Sequence, residues 1–357
     1  MKKTTIQTLI ELTSEFYAHE AQSFSDSRKQ PWDGWHEAMD YLRTRALPPF
    51  GTRTGCNAGG GYGADSDADA GADAGADATT GAAGKTTTQP FCCIDVACGN
   101  LRFLHFLCAY MQTATPTKNA SHNTPAPQSN TFLYIGIDKQ PELTARGIAA
   151  MGDVAMRDAE KQTAPTQAVP HITLYTHDIL SCALEGTPAL PCLEHRADML
   201  VCFGFMHHIP SAALRAHVLA ELCAQIKPGG VVILSFWCFA QSAQGAAKAA
   251  RETMHAFEAL TARAESGAEG SAKGDVEGGV KGAAANKPLL NAEDFEPNDF
   301  MLGWKHTQGV MRYAHSFTEA EALQLIAGVS QLSYCTHWYA DGKNNRSNLY
   351  VIAQKTA

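Results

Sequence analysis

The chain has 357 residues, 45% of them hydrophobic, and a formal net charge of −8. That length supports one large domain with additions, and that charge excludes a generally basic surface for nucleic acid. Five acids (Asp65, Asp67, Asp69, Asp73 and Asp77) fall in one stretch without Lys or Arg, so the remainder is nearer to −3.

In chain order, residues 1–50 read as a helical cap segment. The opening MKKTTIQTLIELTSEFY has two lysines but no continuous apolar run behind them, so no secretory leader is expected. Residues 57–84 are an Ala/Gly/Asp near-repeat without large aliphatic side chains to offset the entropy of ordering. Residues 51–90 are therefore expected to be a low-complexity insertion and linker.

From residue 91 the pattern changes. FCCIDV (91–96) predicts a strand, and LRFLHFLCAYM (101–111) a helix. TFLYIGID (131–138) predicts a strand ending on Asp138, and PELTARGIAAMGDVAMRDA (141–159) a helix with Pro at its start. HITLYTHDIL (171–180) predicts a strand ending near Asp178. ADMLVCFGFMHHI (197–209) predicts a strand leading into a loop. SAALRAHVLAELCAQI (211–226) has helical spacing with Ser211 as its cap, and KPGGVVILSFWCF (227–239) is a turn and then a strand. Residues 113–130, 160–170 and 261–288 read as loops or disorder.

This alternation predicts an α/β fold with a parallel sheet and crossover helices. Its core would span 91–240, with a helix and low-complexity insertion over 241–299. Residues 300–357 would complete the same domain. Eleven cysteines include no Cys-x-x-Cys pair, so free thiols in a reducing, cytoplasmic setting are expected rather than a zinc site. No run is long and apolar enough to predict a membrane span.

Three acids, Asp95, Asp138 and Asp178, fall at the ends of successive predicted strands. Open parallel sheets bind ligands outside those carboxyl ends. The turn after Asp95, with Gly99 inside it, fits either a nucleotide-like cofactor or an ordinary strand–turn–helix junction.

The segments IDVACGNLRF, YIGIDKQPEL, ADMLVCFGFMHHI and IKPGGVVILSF, in this order and spacing, resemble those of class I S-adenosylmethionine-dependent methyltransferases. That resemblance implies a Rossmann-like sheet and S-adenosyl-L-methionine as cofactor. Asp95, Ala97 and Gly99 would face its methionine portion, Asp138 its ribose hydroxyls and Asp178 its adenine amino group, with Phe203 and Phe205 bordering it. The usual first motif has glycine where this chain has Ala97 and Leu101.

The flanks narrow the resemblance. FSDSRKQPW (24–32), DFMLGWK (299–305) and RYAHSFTEAEA (312–322) are similar to segments of the tRNA wobble-uridine carboxymethyl methyltransferases. This implies tRNA as acceptor and, as in the eukaryotic enzymes, a small zinc-binding activator subunit as partner. An acceptor carboxylate is already ionised near neutral pH and needs a cation rather than a base. Arg28 and Arg312 are then the candidates to hold it, with Arg346 a further flanking arginine. An acceptor needing deprotonation would instead call on His207 or His208. Two alternatives stay open: a methyltransferase of a small metabolite, such as a quinone precursor or carboxylic acid, and a methyltransferase-like protein that binds without catalysis.

Overall fold

A computed structural model describes residues 1–50, 90–113, 131–160, 169–270, 290–304 and 307–356. Five short apolar segments form parallel strands: β1 (Cys92–Val96), β2 (Thr131–Asp138), β3 (Val169–Thr176), β4 (Ala197–Cys202) and β5 (Ile226–Trp237). A hairpin of β6 (Asp299–Trp304) and β7 (Thr307–His315) comes next, and β8 (Leu332–Ala340) and β9 (Asn348–Lys355) come last. The main sheet has the order β3-β2-β1-β4-β5-β9-β8, with β9 antiparallel to both neighbours. Its order reverses between β1 and β4, which places a crevice at their carboxyl ends.

Crossover helices α3 (Arg102–Thr113), α4 (Pro141–Glu160), α5 (Ile179–Glu185) and α6 (Ala212–Ala224) connect the parallel strands. Strand β1 is buried on both faces, as a central parallel strand must be. Ile94 and Val96 enter one core layer, and Cys93 the other. Ser211 caps α6 by accepting from the Leu214 amide at 3.3 Å.

The α/β sheet expected from the alternation is present, with differences at the element ends. The strand expected to end near Asp178 stops at Thr176, because Asp178 caps α5 by accepting from the Ser181 amide. The strand expected to lead into a loop within 197–209 ends at Cys202, and Met206–His208 in that loop form a single 3-10 turn. Thr113 closes α3, Glu160 closes α4, and Val169 and Pro170 already pair in β3. Residues 261–270, expected as loop, instead continue helix α7 (Ala243–Gly270). Their Ala and Glu content favours a helix already begun, so composition misled at that boundary. The near-repeat at 57–84 lies outside the described residues.

Two N-terminal helices, α1 (Lys3–Ser27) and α2 (Asp33–Thr44), lie over the sheet. Helix α1 is apolar on two sides: Ile6 and Ile10 enter the main core, while Leu9 and Leu12 pack with Met301 and Tyr313 of the hairpin. It is therefore held between sheet and hairpin, which fixes Tyr17 and the nearby Arg28 over the strand ends. Helix α8 (Glu319–Ala327), capped by Thr318, joins the hairpin to β8.

Candidate active site

A cavity of about 330 Å³ opens at the carboxyl ends of the parallel strands, under α1 and the turn between β8 and β9. Asp95, Ala97, Gly99, Asp138, Asp178, Phe203, Phe205, His207, His208 and Arg28 all line it. The fold thus brings ten of the eleven candidate residues to one space. Arg312 is not in the lining; it is buried behind it.

The turn after β1 has an unusual backbone. Ala97, Gly99 and Leu101 all have positive φ, at 57°, 52° and 56°. Ala97 and Leu101 thus hold a conformation that glycine adopts more cheaply. Leu101 is fully buried, and the chain makes room with Gly147 on α4: a Cβ there would meet Asn100 O at 2.6 Å and Leu101 Cβ at 2.8 Å. A Cβ on Gly99 would meet nothing within 4 Å, so its backbone borders open cavity.

Asp138 Oδ2 accepts from the Gly99 amide and Oδ1 from the Gln140 amide, both at 2.8 Å. Burial raises its pKa, against the pull of those amides. Asp95 is buried more completely, accepts from the Tyr134 hydroxyl at 2.5 Å, and is pushed up to about 7 by desolvation. Asp178 differs. Its Oδ2 takes Lys139 at 2.6 Å and the Ser181 hydroxyl at 2.7 Å. Burial alone would raise it, but Lys139 and Ser181 hold it below the usual carboxylate range. Asp178 is therefore a helix cap that also reaches the cavity wall.

Aromatic rings form the remaining wall. Trp35 is core, packed on Phe103 and Phe203, while Trp32 lies 3.3 Å from where a Cβ of Gly204 would stand. Gly204 has φ +73° and permits that close approach.

The lining also carries the cation Arg28. Arg28 lies over Phe24 and Trp304, at 4.2 and 5.0 Å from the ring centres. Arg312 lies over Phe16, Trp237 and the same Trp304, and one of its NH groups donates to Gly303 O at 3.3 Å. Neither guanidinium has a carboxylate at ion-pair distance among the described residues. Desolvation lowers the pKa of both.

His207 and His208 sit between these cations and the sheet. His208 Nδ1–H donates to Tyr313 O at 2.7 Å, so Nε2 accepts from the Tyr17 hydroxyl at 2.8 Å. Desolvation, then the two arginines, lower His208 to about 3. His207 lies 4.4 Å from the Trp237 ring, and burial together with its cationic neighbours lowers it well below normal. Both imidazoles are neutral at pH 7 and poor bases. Within the described residues His207 Nδ1 and Arg312 Nε have no hydrogen-bond partner.

Sequence reasoning missed Tyr17, Trp237 and Trp304, which complete this end of the site. Tyr17 was within reach, lying in the same aromatic-rich segment as Phe24 and Arg28. Arg346, the third arginine considered, lies over Tyr339 at 4.2 Å.

Among the described residues, no helix is long and apolar enough to cross a membrane, and no three His, Cys, Asp or Glu gather as a metal site. No protein-family model matches the chain, and no curated protein does. Solved structures do. A SAM-dependent methyltransferase from Methanosarcina mazei aligns at 13% identity over 76% of this chain and 94% of its own, with a TM-score of 0.42. The DhpI–SAH complex aligns at 9% identity over 98% of both chains, with a TM-score of 0.45. Magnesium protoporphyrin IX methyltransferase (ChlM) from Synechocystis PCC 6803, with bound SAH, aligns at 12% identity over 75% of this chain and 74% of its own, with a TM-score of 0.37.

Proposed function

We propose that the chain is an S-adenosylmethionine-dependent methyltransferase whose acceptor is an anion, most simply a carboxylate. One observation carries this reading: a single cavity is lined by Asp138, by the bare Gly99 backbone, by Arg28 with no carboxylate at ion-pair distance among the described residues, and by His207 and His208.

The residues fit such a cofactor. Each Asp138 oxygen accepts one amide and keeps a lone pair, which suits the two hydroxyls of a ribose. Asp95 would face the ammonium of the methionine portion, with Ala97 and Gly99 providing the close backbone. Asp178 Oδ1 keeps a lone pair for the adenine amino group, and Phe203 and Phe205 would border the ring. When bound, the cofactor supplies an electrophilic methyl carbon on a sulfonium.

Arg28 then holds and orients the acceptor, and orientation is a large share of the barrier in such a displacement. Arg312 adds positive potential from behind, where low polarity strengthens it. His207 and His208, being neutral, leave an already ionised acceptor unprotonated and have no proton to remove. The aromatic wall excludes water from the attacking oxygen.

The resemblance of the flanks supports the carboxymethyl group of a tRNA wobble uridine as that acceptor, with a small zinc-binding subunit as partner. A small carboxylic acid is the second reading, favoured by the depth of Arg312, which is only 4% exposed. The test is transfer of labelled methyl from S-adenosylmethionine to total tRNA and, separately, to a pool of small carboxylic acids. Calorimetric titration of the cofactor runs alongside. Label in tRNA supports the first reading and label in the acids the second. Cofactor binding with label in neither leaves a binding protein, and no binding overturns the proposal.

A further inference from the structure

Outside the cavity, a buried charged cluster joins the foot of the β6–β7 hairpin to the main domain. His315, 1% exposed, ends β7 and is the ladder partner of Asp299 at the start of β6. Its Nδ1 lies 2.7 Å from Asp299 Oδ1, and its Nε2 lies 2.7 Å from Glu321 Oε1 on α8. Only the imidazolium can donate to both carboxylates at once. Arg215 on α6 approaches Glu321 at 3.6 Å and pairs with Glu296 at 3.0 Å. The Tyr313 hydroxyl donates to Asp299 at 2.6 Å, and the Phe317 ring packs edge-on against the imidazole.

The same hairpin backs the cavity wall at Arg28, whose guanidinium lies over Trp304. Arg312 and Trp304 are on its strands. Tyr313 connects it onward: its amide donates to Thr13 of α1, and its carbonyl accepts from His208. The position of Arg312 therefore depends on how firmly the hairpin foot is tied down.

We propose that His315 is a positioning residue: as an imidazolium bridging Asp299 and Glu321, it locks the hairpin so that Arg312 and Trp304 stay over the site. The catalytic part of this inference rests on the methyltransferase reading; the lock itself does not. Loss of the proton leaves either the buried Asp299 or the partly exposed Glu321 without its histidine donor, in a cluster where Arg215 already serves Glu296.

The sign is set by the geometry. Burial alone would lower the histidine, but the bonds to Asp299 and Glu321 outweigh it and raise it above its ordinary value. A raised histidine stabilises fully below about pH 6.5, its unfolded value, and the contribution is lost as pH rises through the folded value.

The experiment is amide hydrogen exchange on the full chain from pH 6 to pH 9, corrected for intrinsic rates, with the His315 ring proton tracked by NMR. Protection in β6 and β7 should fall by up to about tenfold per pH unit above the His315 midpoint. The main-sheet strands β1 and β4 should not change over the same interval. His315→Gln should show the weaker hairpin protection at every pH and unchanged cofactor affinity. Methyl transfer by the wild type should decline with the same midpoint. Hairpin protection that ignores the His315 titration overturns the proposal, even if His315→Gln fails to fold. Protection that tracks the titration in a chain without methyl transfer upholds the lock and refutes the enzyme reading instead.

Discussion

Asp95 carries a cost in the free protein. With its pKa raised to about 7 by burial, it is half protonated at neutral pH. The unfolded value is near 4, so folding takes up a proton between about pH 4 and pH 7, and stability falls as pH rises through that window. A bound ammonium would offset this by favouring the ionised form. Cofactor affinity should therefore rise about tenfold from pH 6 to pH 8, as the competent fraction does. Calorimetry across that range checks it, and Asp95→Asn should flatten the profile. A second residue-scale prediction concerns the turn beside it. Ala97→Gly should leave the fold and cofactor affinity unchanged, because the backbone is already in the glycine region. Gly147→Ala should cost about 1–3 kcal/mol by overpacking against Asn100 and Leu101, read as a lower denaturant midpoint. The sequence showed where glycine was missing from the first motif. It did not show that the conformation persists without it, since Gly147 sits some 46 positions away on another element.

At the scale of elements, Arg28 and Arg312 arrive from opposite ends of the chain and share Trp304 as a common ring. Arg28→Ala should lower methyl transfer by one charge-assisted hydrogen bond, about 1.5–3 kcal/mol, or roughly ten- to a hundred-fold in rate. Arg312→Ala should lower transfer by less, through lost positive potential alone, and also weaken the fold, because its stem fills space among Phe16, Trp237 and Trp304. Rates and melting curves of the two variants, with cofactor affinity as the control, separate these effects. The parallel strands and the acids near three of their ends were legible in the sequence, because buried strands leave continuous apolar runs and three of those runs end on or close to an acid. The β6–β7 hairpin was not. Its segment was noticed for its aromatic residues, but its strands owe their pairing to α1 and α7, contacts that no local pattern reports. The depth of Arg312 was hidden for the same reason.

For the whole molecule, the site depends on segments far apart in sequence meeting over one sheet. Residues 57–84 lie outside the described residues, and their sequence holds no large aliphatic side chain. Their deletion should leave the melting temperature and cofactor affinity unchanged, and a marked fall in either would assign them a structural part. The sheet order has a consequence for synthesis. Strand β9 lies between β5 and β8 but comes after both in the chain. Until residues 348–355 have left the ribosome, the growing chain holds β5 as an unpaired, apolar edge, and β8 has no neighbour to dock on. The parallel half can gather early, while its exposed flank is the kind of surface that recruits chaperones or neighbouring nascent chains. Protection comes in one late step, when an interior strand slides into a gap left open for it.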